Sequence, residues 1–134
     1  MNIQRVDVSH IHRVWPLVEG FIANALDYAH GDYTVDQAKT MVALGNWTLL
    51  VAVEDNVVHG AATLSFSSRP DDRVAFITTT GGRFVTSPET FAQLKEMVTS
   101  LGATCIEAAA RESMARMLSR YGFEEKYRIV GVKI

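Results

Sequence analysis

"AAARESMARMLSRYGFEEKYRIVGVKI", residues 108–134, reads as a helix that stops at a Tyr-Gly-Phe corner and leads into a strand. The helical part is "RESMARMLSRYGF", 111–123, with Gly122 as its stop, because glycine enters the left-handed corner conformation without a Cβ penalty. "KYRIVGVKI", 126–134, with Tyr127, Ile129 and Val132, reads as a closing strand. The upstream order decides which sheet such a strand completes.

Just before that helix, "TCIEAAA" (104–110) is a short apolar strand, and "SPETFAQLKEMVTSLGA" (87–103) is a helix. Ser87 caps it, Pro88 fits its first position, Glu89 lies in its first turn and Gly102 ends it. Further upstream "WTLLVAVE" (47–54), "VVHGAATLSFSS" (57–68) and "RVAFITTT" (73–80) are three strands, joined by Asp55-Asn56 and by "RPDD". At the start, "MNIQRV" is an edge strand. Ile11, Val14, Leu17, Val18, Phe21, Ile22 and Ala25 recur at helical spacing and predict a helix of about 9–28, with Pro16 marking a kink or a later start near Trp15. After a loop at 27–33, Thr34 caps a second helix that ends at Gly45-Asn46. The order is β-α-α-β-β-β-α-β-α-β, an α/β (α+β) chain with a mixed, mostly antiparallel sheet and one domain spanning 1–134.

Composition narrows the function classes. Hydrophobic residues make up 48% and charged residues 21%, which suits a packed globular core. The net charge is −2 and the basic residues are scattered, so a nucleic-acid face is not expected. The longest apolar runs are too short to cross a membrane and "MNIQRVDVSH" has no apolar signal core, so a cytoplasmic protein is expected. Cys105, alone in the sequence, reads as a core thiol, and His10 and His12 face apart, so no metal is expected.

The element order, together with the "RYGFEE" helix ending, resembles the Gcn5-related N-acetyltransferase (GNAT) superfamily over the whole chain. The resemblance implies acetyl-CoA as co-substrate, held where the third and fourth strands of the later sheet splay apart, with the exposed backbone of Ile77, Thr78 and Thr79 pairing to the pantetheine. It also implies a pyrophosphate cradle of the Gln/Arg-x-x-Gly-x-Gly type at the start of the following helix. Here Thr86, Glu89 and Phe91 stand where the family has Arg and two glycines, so the cradle departs from the pattern. Arg83, Thr86 and Ser87 are the candidates for a shifted cradle, and Arg111 takes the place of the family's Asn.

In the last helix Leu118 occupies the usual position of the Tyr general acid, and Tyr121 is the candidate substitute. His59 and Glu107 are candidate general bases. The loop residues Tyr28, His30, Asp32 and Tyr33 lie where the family overhangs its acceptor, with His30 and Asp32 as further bases, and imply a small-molecule or protein amine. Pairing of two copies through strand edges is a further implication. The chain is also similar, more loosely, to short GNAT-like proteins of short-tailed bacteriophages, through its Thr/Ser-rich third meander strand and its compact "GF", "EE", "Y" finish. That resemblance implies a non-catalytic binding or structural role in virion assembly, in the host cytoplasm or the virion.

Overall fold

The computed structural model describes residues 1–28 and 31–134. Asn2–Val6 form β1, and Asp7 caps a 3₁₀ turn at Val8–His10 by accepting from the Ser9 N–H at 2.9 Å. Ile11–Leu26 form α1 and Val35–Ala43 form α2. The strands β2 (Thr48–Glu54), β3 (Val57–Ser68) and β4 (Arg73–Gly82) follow, then α3 (Pro88–Ser100), β5 (Cys105–Ala108) and α4 (Glu112–Ser119). The sheet order is β1-β2-β3-β4-β5, antiparallel except for the parallel β4/β5 pair.

Local chemistry explains most of these boundaries. Asp55 and Asn56 both have positive φ, 53° and 63°, which is the two-residue turn whose twist matches a hairpin. Thr34 and Gln37 form a reciprocal capping box at α2. Helix α1 begins at Ile11 and runs through Pro16, which lies on its exposed side, so the carbonyl of His12 that loses its partner faces water. Ile11, Trp15, Val18, Ile22 and Leu26 form its buried stripe, whereas Leu17 is exposed.

The sheet separates two cores. On one face α1 and α2 pack Trp15, Val18, Ile22 and Val42 against Leu49, Val51 and Ala61; on the other, α3 packs Leu94 and Val98 against Leu50, Ala52, Leu64 and Ala75. Gln93 of α3 closes the outer edge of β1: its side chain accepts from the Ile3 N–H at 2.7 Å and donates to the Met1 carbonyl at 3.0 Å.

The predicted closing strand is not formed. Residues 126–134 are exposed and pair with no strand, so the sheet ends at β5. Tyr127 and Ile129 fall on one parity and Val130, Val132 and Ile134 on the other, so the segment has no single apolar face to fix a register beside β5.

Helix α1 lies hard against the end of β4. A Cβ on Gly81 would strike the Phe21 carbonyl, and one on Gly82 would come within 2.6 Å of both the Phe21 ring and the His59 carbonyl oxygen. Gly81→Ala should therefore force α1 and β4 apart and cost about 1–3 kcal/mol, read as a lower urea midpoint at unchanged slope. An unaltered midpoint would show that the contact yields without strain.

Candidate active site

The site is built on a mismatch of strand lengths. Four parallel pairs join β4 to β5, from Val74 with Cys105 to Ile77 with Ala108, while β4 stays paired to β3 as far as Gly82. Beyond Ile77 the side of β4 that faces away from β3 is no longer paired to β5, and a gap separates the two strands there. The start of the pair is locked by Thr104, whose N–H donates to the Arg73 carbonyl at 2.8 Å and whose hydroxyl accepts from the Arg73 N–H at 2.9 Å.

A bulge in β4 marks the opening. Thr63 of β3 pairs with Thr79 and Leu64 with Ile77, so Thr78 is the extra residue. The Thr63 hydroxyl, fully buried, lies 2.7 Å from the Thr78 hydroxyl and 2.6 Å from that of Thr79, and this three-hydroxyl cluster holds the bulge. Of the residues expected at the pantetheine, Ile77 is therefore the last one paired to β5, and Thr78 and Thr79 are the first beyond it.

The start of α3 is closed by its own cap. The Thr86 and Ser87 N–H groups both donate to the Thr90 hydroxyl, at 3.0 and 3.1 Å, and the Thr90 N–H donates to the Ser87 hydroxyl at 3.2 Å. The Phe91 N–H bonds the Ser87 carbonyl, and Pro88 has no donor. Gly81 and Gly82 belong to β4 and to its contact with α1, and the Arg83 N–H is held by the His59 carbonyl at 2.9 Å, with the Arg83 side chain exposed. The expected shifted cradle therefore finds its backbone donors already bonded within the protein.

Glu107, an expected general base, is engaged in an ion cluster. It lies between Arg69, which grips it through both guanidinium nitrogens, and Lys126 at 2.6 Å. These hydrogen bonds, the Arg69 one first, hold its carboxyl down at about 2 from the usual 4.5. The carboxyl therefore keeps its charge near neutral pH. Arg111 is also placed differently from expectation: as the cap residue of α4 it lays its guanidinium 4.0 Å from the centre of the Tyr28 ring, joining the end of α1 to the start of α4.

Tyr121 stacks on Phe91 with centroids 5.0 Å apart, and Phe123 lies 5.7 Å from the same ring, so these aromatics link the start of α3 to the end of α4. Leu118, at the expected acid position, is buried. His59 is the bulged residue of β3, between Val58 paired with Val53 and Gly60 paired with Ala52, and is half-buried beside the end of β4. Tyr33 packs edge-on against Trp47 with centroids 4.9 Å apart, Asp32 is exposed, and His30 lies outside the described residues. Sequence reasoning missed Thr63, Thr90, Arg69 and Lys126. Only Thr90 had a local signal, its place three residues after the Ser87 cap.

Among the described residues no group of three or more His, Cys, Asp or Glu is placed to hold a metal, and no helix is long and apolar enough to cross a membrane.

No family model and no curated protein sequence matches the chain. Solved structures do match in fold. A probable acetyltransferase superposes with a TM-score of 0.72 at 14% identity, covering 100% of this chain and 98% of its own. The aminoglycoside N-acetyltransferase AAC(6')-Iy, in complex with the bisubstrate analogue CoA-S-monomethyl-acetylneamine, gives 0.70 at 16% identity, covering 99% of this chain and 97% of its own. A ribosomal-protein-alanine N-acetyltransferase from Brucella melitensis biovar Abortus 2308 gives 0.67 at 11% identity with full coverage of both chains. The expected GNAT fold is thereby shown.

The ion cluster makes a signed pH prediction. Because the Glu107 carboxyl titrates lower in the folded protein, its stabilising contribution is complete above the usual 4.5 and is lost as pH falls through about 2. Thermal melts of wild type and Glu107→Gln should differ at pH 7 and pH 5 and converge towards pH 2. A difference that is independent of pH would show that Glu107 does not act through its charge.

Proposed function

We propose that the chain is an acetyl-CoA-dependent N-acetyltransferase that passes the acetyl group directly to an amine within a ternary complex. The observation that carries this reading is the β4/β5 gap, with the Thr78 bulge at its mouth and unpaired β4 backbone along one wall. Such a wall pairs with the two amides of a pantetheine arm as a further strand would. An N–H at the bulge is suited to a developing thioester oxyanion, and backbone donors fixed by buried hydroxyls need no reorganisation in the transition state.

The rest of the site supports catalysis by positioning. Glu107 is held as a carboxylate and Leu118 offers no proton, which leaves His59 as the base candidate nearest the end of β4. Holding an amine beside a thioester supplies much of the acceleration without a strong protein acid, provided the amine arrives unprotonated. Tyr28 and Tyr33 are exposed aromatics, with the Tyr28 ring already covered by Arg111 and Tyr33 packed on Trp47, so they do not by themselves select one amine. The structural neighbours include enzymes named for aminoglycosides and for a ribosomal-protein alanine, so both acceptor classes enter the assay.

A second reading, a non-catalytic binding protein on the same fold with virion assembly as one setting, is favoured by the buried Leu118 and by the bonded α3 cap.

The test is thiol release from acetyl-CoA in the presence of aminoglycosides and of peptides with free N-terminal amines. Amine-dependent release supports the proposal, and release no faster than background with every amine supports the second reading. Tyr121→Phe keeps the stack on Phe91, so activity should stay within about threefold of wild type. A loss of about a hundredfold or more would instead make its hydroxyl the general acid.

A further inference from the structure

The acetyl-CoA of the proposed reaction has two recognisable parts, and the structure fits only one of them. The β4/β5 gap fits a pantetheine arm. Helix α3 does not fit the pyrophosphate, first because its own cap takes the N–H donors, with charge and bulk adding to that mismatch.

The first reason is the cap itself. A pyrophosphate binds a helix N-terminus through N–H groups that have no partner of their own. Here the Thr90 hydroxyl accepts from two of them, those of Thr86 and Ser87, and so sits where a phosphate oxygen would have to. It also donates to the Ser87 carbonyl at 3.0 Å and is 3% exposed, so an incoming anion has to break a buried and fully satisfied set of bonds. Among residues 86–91, these bonds, those of Thr90 and Phe91 described above and the missing proline donor leave only the Glu89 N–H.

The second reason is charge: Glu89 places a carboxylate in that first turn, where it occupies the favourable end of the helix dipole and repels a second anion. The third is bulk. Phe91 stands in the first turn of α3 with Tyr121 and Phe123 packed on it, and Lys95, a turn further on, lies 5.7 Å above the Phe91 ring. Phe84 anchors the loop into the core, so the segment from 84 to 91 is tied down at both ends.

We infer that the chain recognises its donor through the acyl-pantetheine arm alone, and that the Thr90 cap closes the subsite for the nucleotide. This rests on the acyl-transfer reading above. The substrate class is then any acyl-pantetheine thioester, whether the arm ends in the nucleotide of CoA or in the phosphodiester of a carrier protein. The nucleotide adds no affinity, and the reaction is unchanged: the amine nitrogen forms a bond to the acyl carbon, the carbon–sulfur bond breaks, and the thiolate takes up the proton that the amine gives up.

Calorimetry on the full chain with acetyl-CoA, S-acetyl-4′-phosphopantetheine, S-acetylpantetheine and adenosine 3′,5′-bisphosphate tests this. The three thioesters should bind within about threefold of one another and with little dependence on salt, and the bisphosphate should neither bind nor compete. Equal transfer from the phosphopantetheine arm of a loaded carrier protein would identify the second source, and transfer from the free thioesters only would identify the first. Acetyl-CoA binding about tenfold or more tighter than S-acetylpantetheine, with affinity that falls as salt rises, would overturn the inference while leaving acyl transfer intact. If no thioester binds at about 1 mM and none is consumed with any amine, the acyl-transfer reading itself fails and the inference goes with it.

Thr90→Val, checked for folding by its melt, removes the accepting hydroxyl at nearly constant volume and frees the Thr86 and Ser87 N–H groups. It should raise the preference for acetyl-CoA over S-acetylpantetheine by about tenfold. An unchanged ratio in the folded variant would overturn the role of Thr90 and, with it, the proposal.

Discussion

The structure depends on β4 having two unequal neighbours. Against β3 it is paired along its whole length, and against β5 only from Val74 to Ile77. A parallel strand reached through α3 joins the sheet at its edge, beside β4, and turns away into α4 after four residues, so the far half of β4 keeps one free edge. Such an edge inside a globular protein needs a partner or a reason. The adjacent bulge, pinned by Thr63, Thr78 and Thr79, and the close approach of Phe21 to Gly81 and Gly82 fix this edge from both sides. The result is a backbone edge held by packing and by buried hydroxyls rather than a frayed strand.

The same fold region shows how stability and binding compete for one set of groups. Unpartnered N–H donors at a helix start either receive an anion or destabilise the helix. Thr90 and Ser87 resolve the choice in favour of the helix, with Pro88 presetting its first turn. Here the residues that complete the cap occupy the helix start.

Electrostatics tell a similar story at β5. Glu107 is drawn as a half-buried carboxylate on a strand beside the gap, a location that would suit a base, yet two cations reach it from outside the strand. Arg69 comes from the β3/β4 turn and Lys126 from beyond α4, so the carboxylate works as a clamp that joins three separated segments. Arg111, four residues further along the chain, lies over the Tyr28 ring. Glu107 and Arg111 are thus committed to holding the frame, while His59 sits at the β3 bulge beside the end of β4.

Much of this was determined by the sequence alone. Periodicity, caps and turn residues were enough for the order of helices and strands, for the Asp55-Asn56 hairpin and for the Thr34 and Ser87 helix starts, because each depends on interactions within a few residues. The GNAT-like order followed from them. The tertiary structure alone decided the rest. That residues 126–134 form no strand depends on whether β5 receives them, a contact over distance that a short apolar run does not specify. That Glu107 is a clamp depends on Arg69, 38 residues away, and the commitment of Gly81 and Gly82 to packing depends on Phe21 about 60 residues earlier. Local bonding is written in neighbouring residues. Which carboxylate stays free and which glycine is crowded is settled only when distant segments compete for the same space and the same charges.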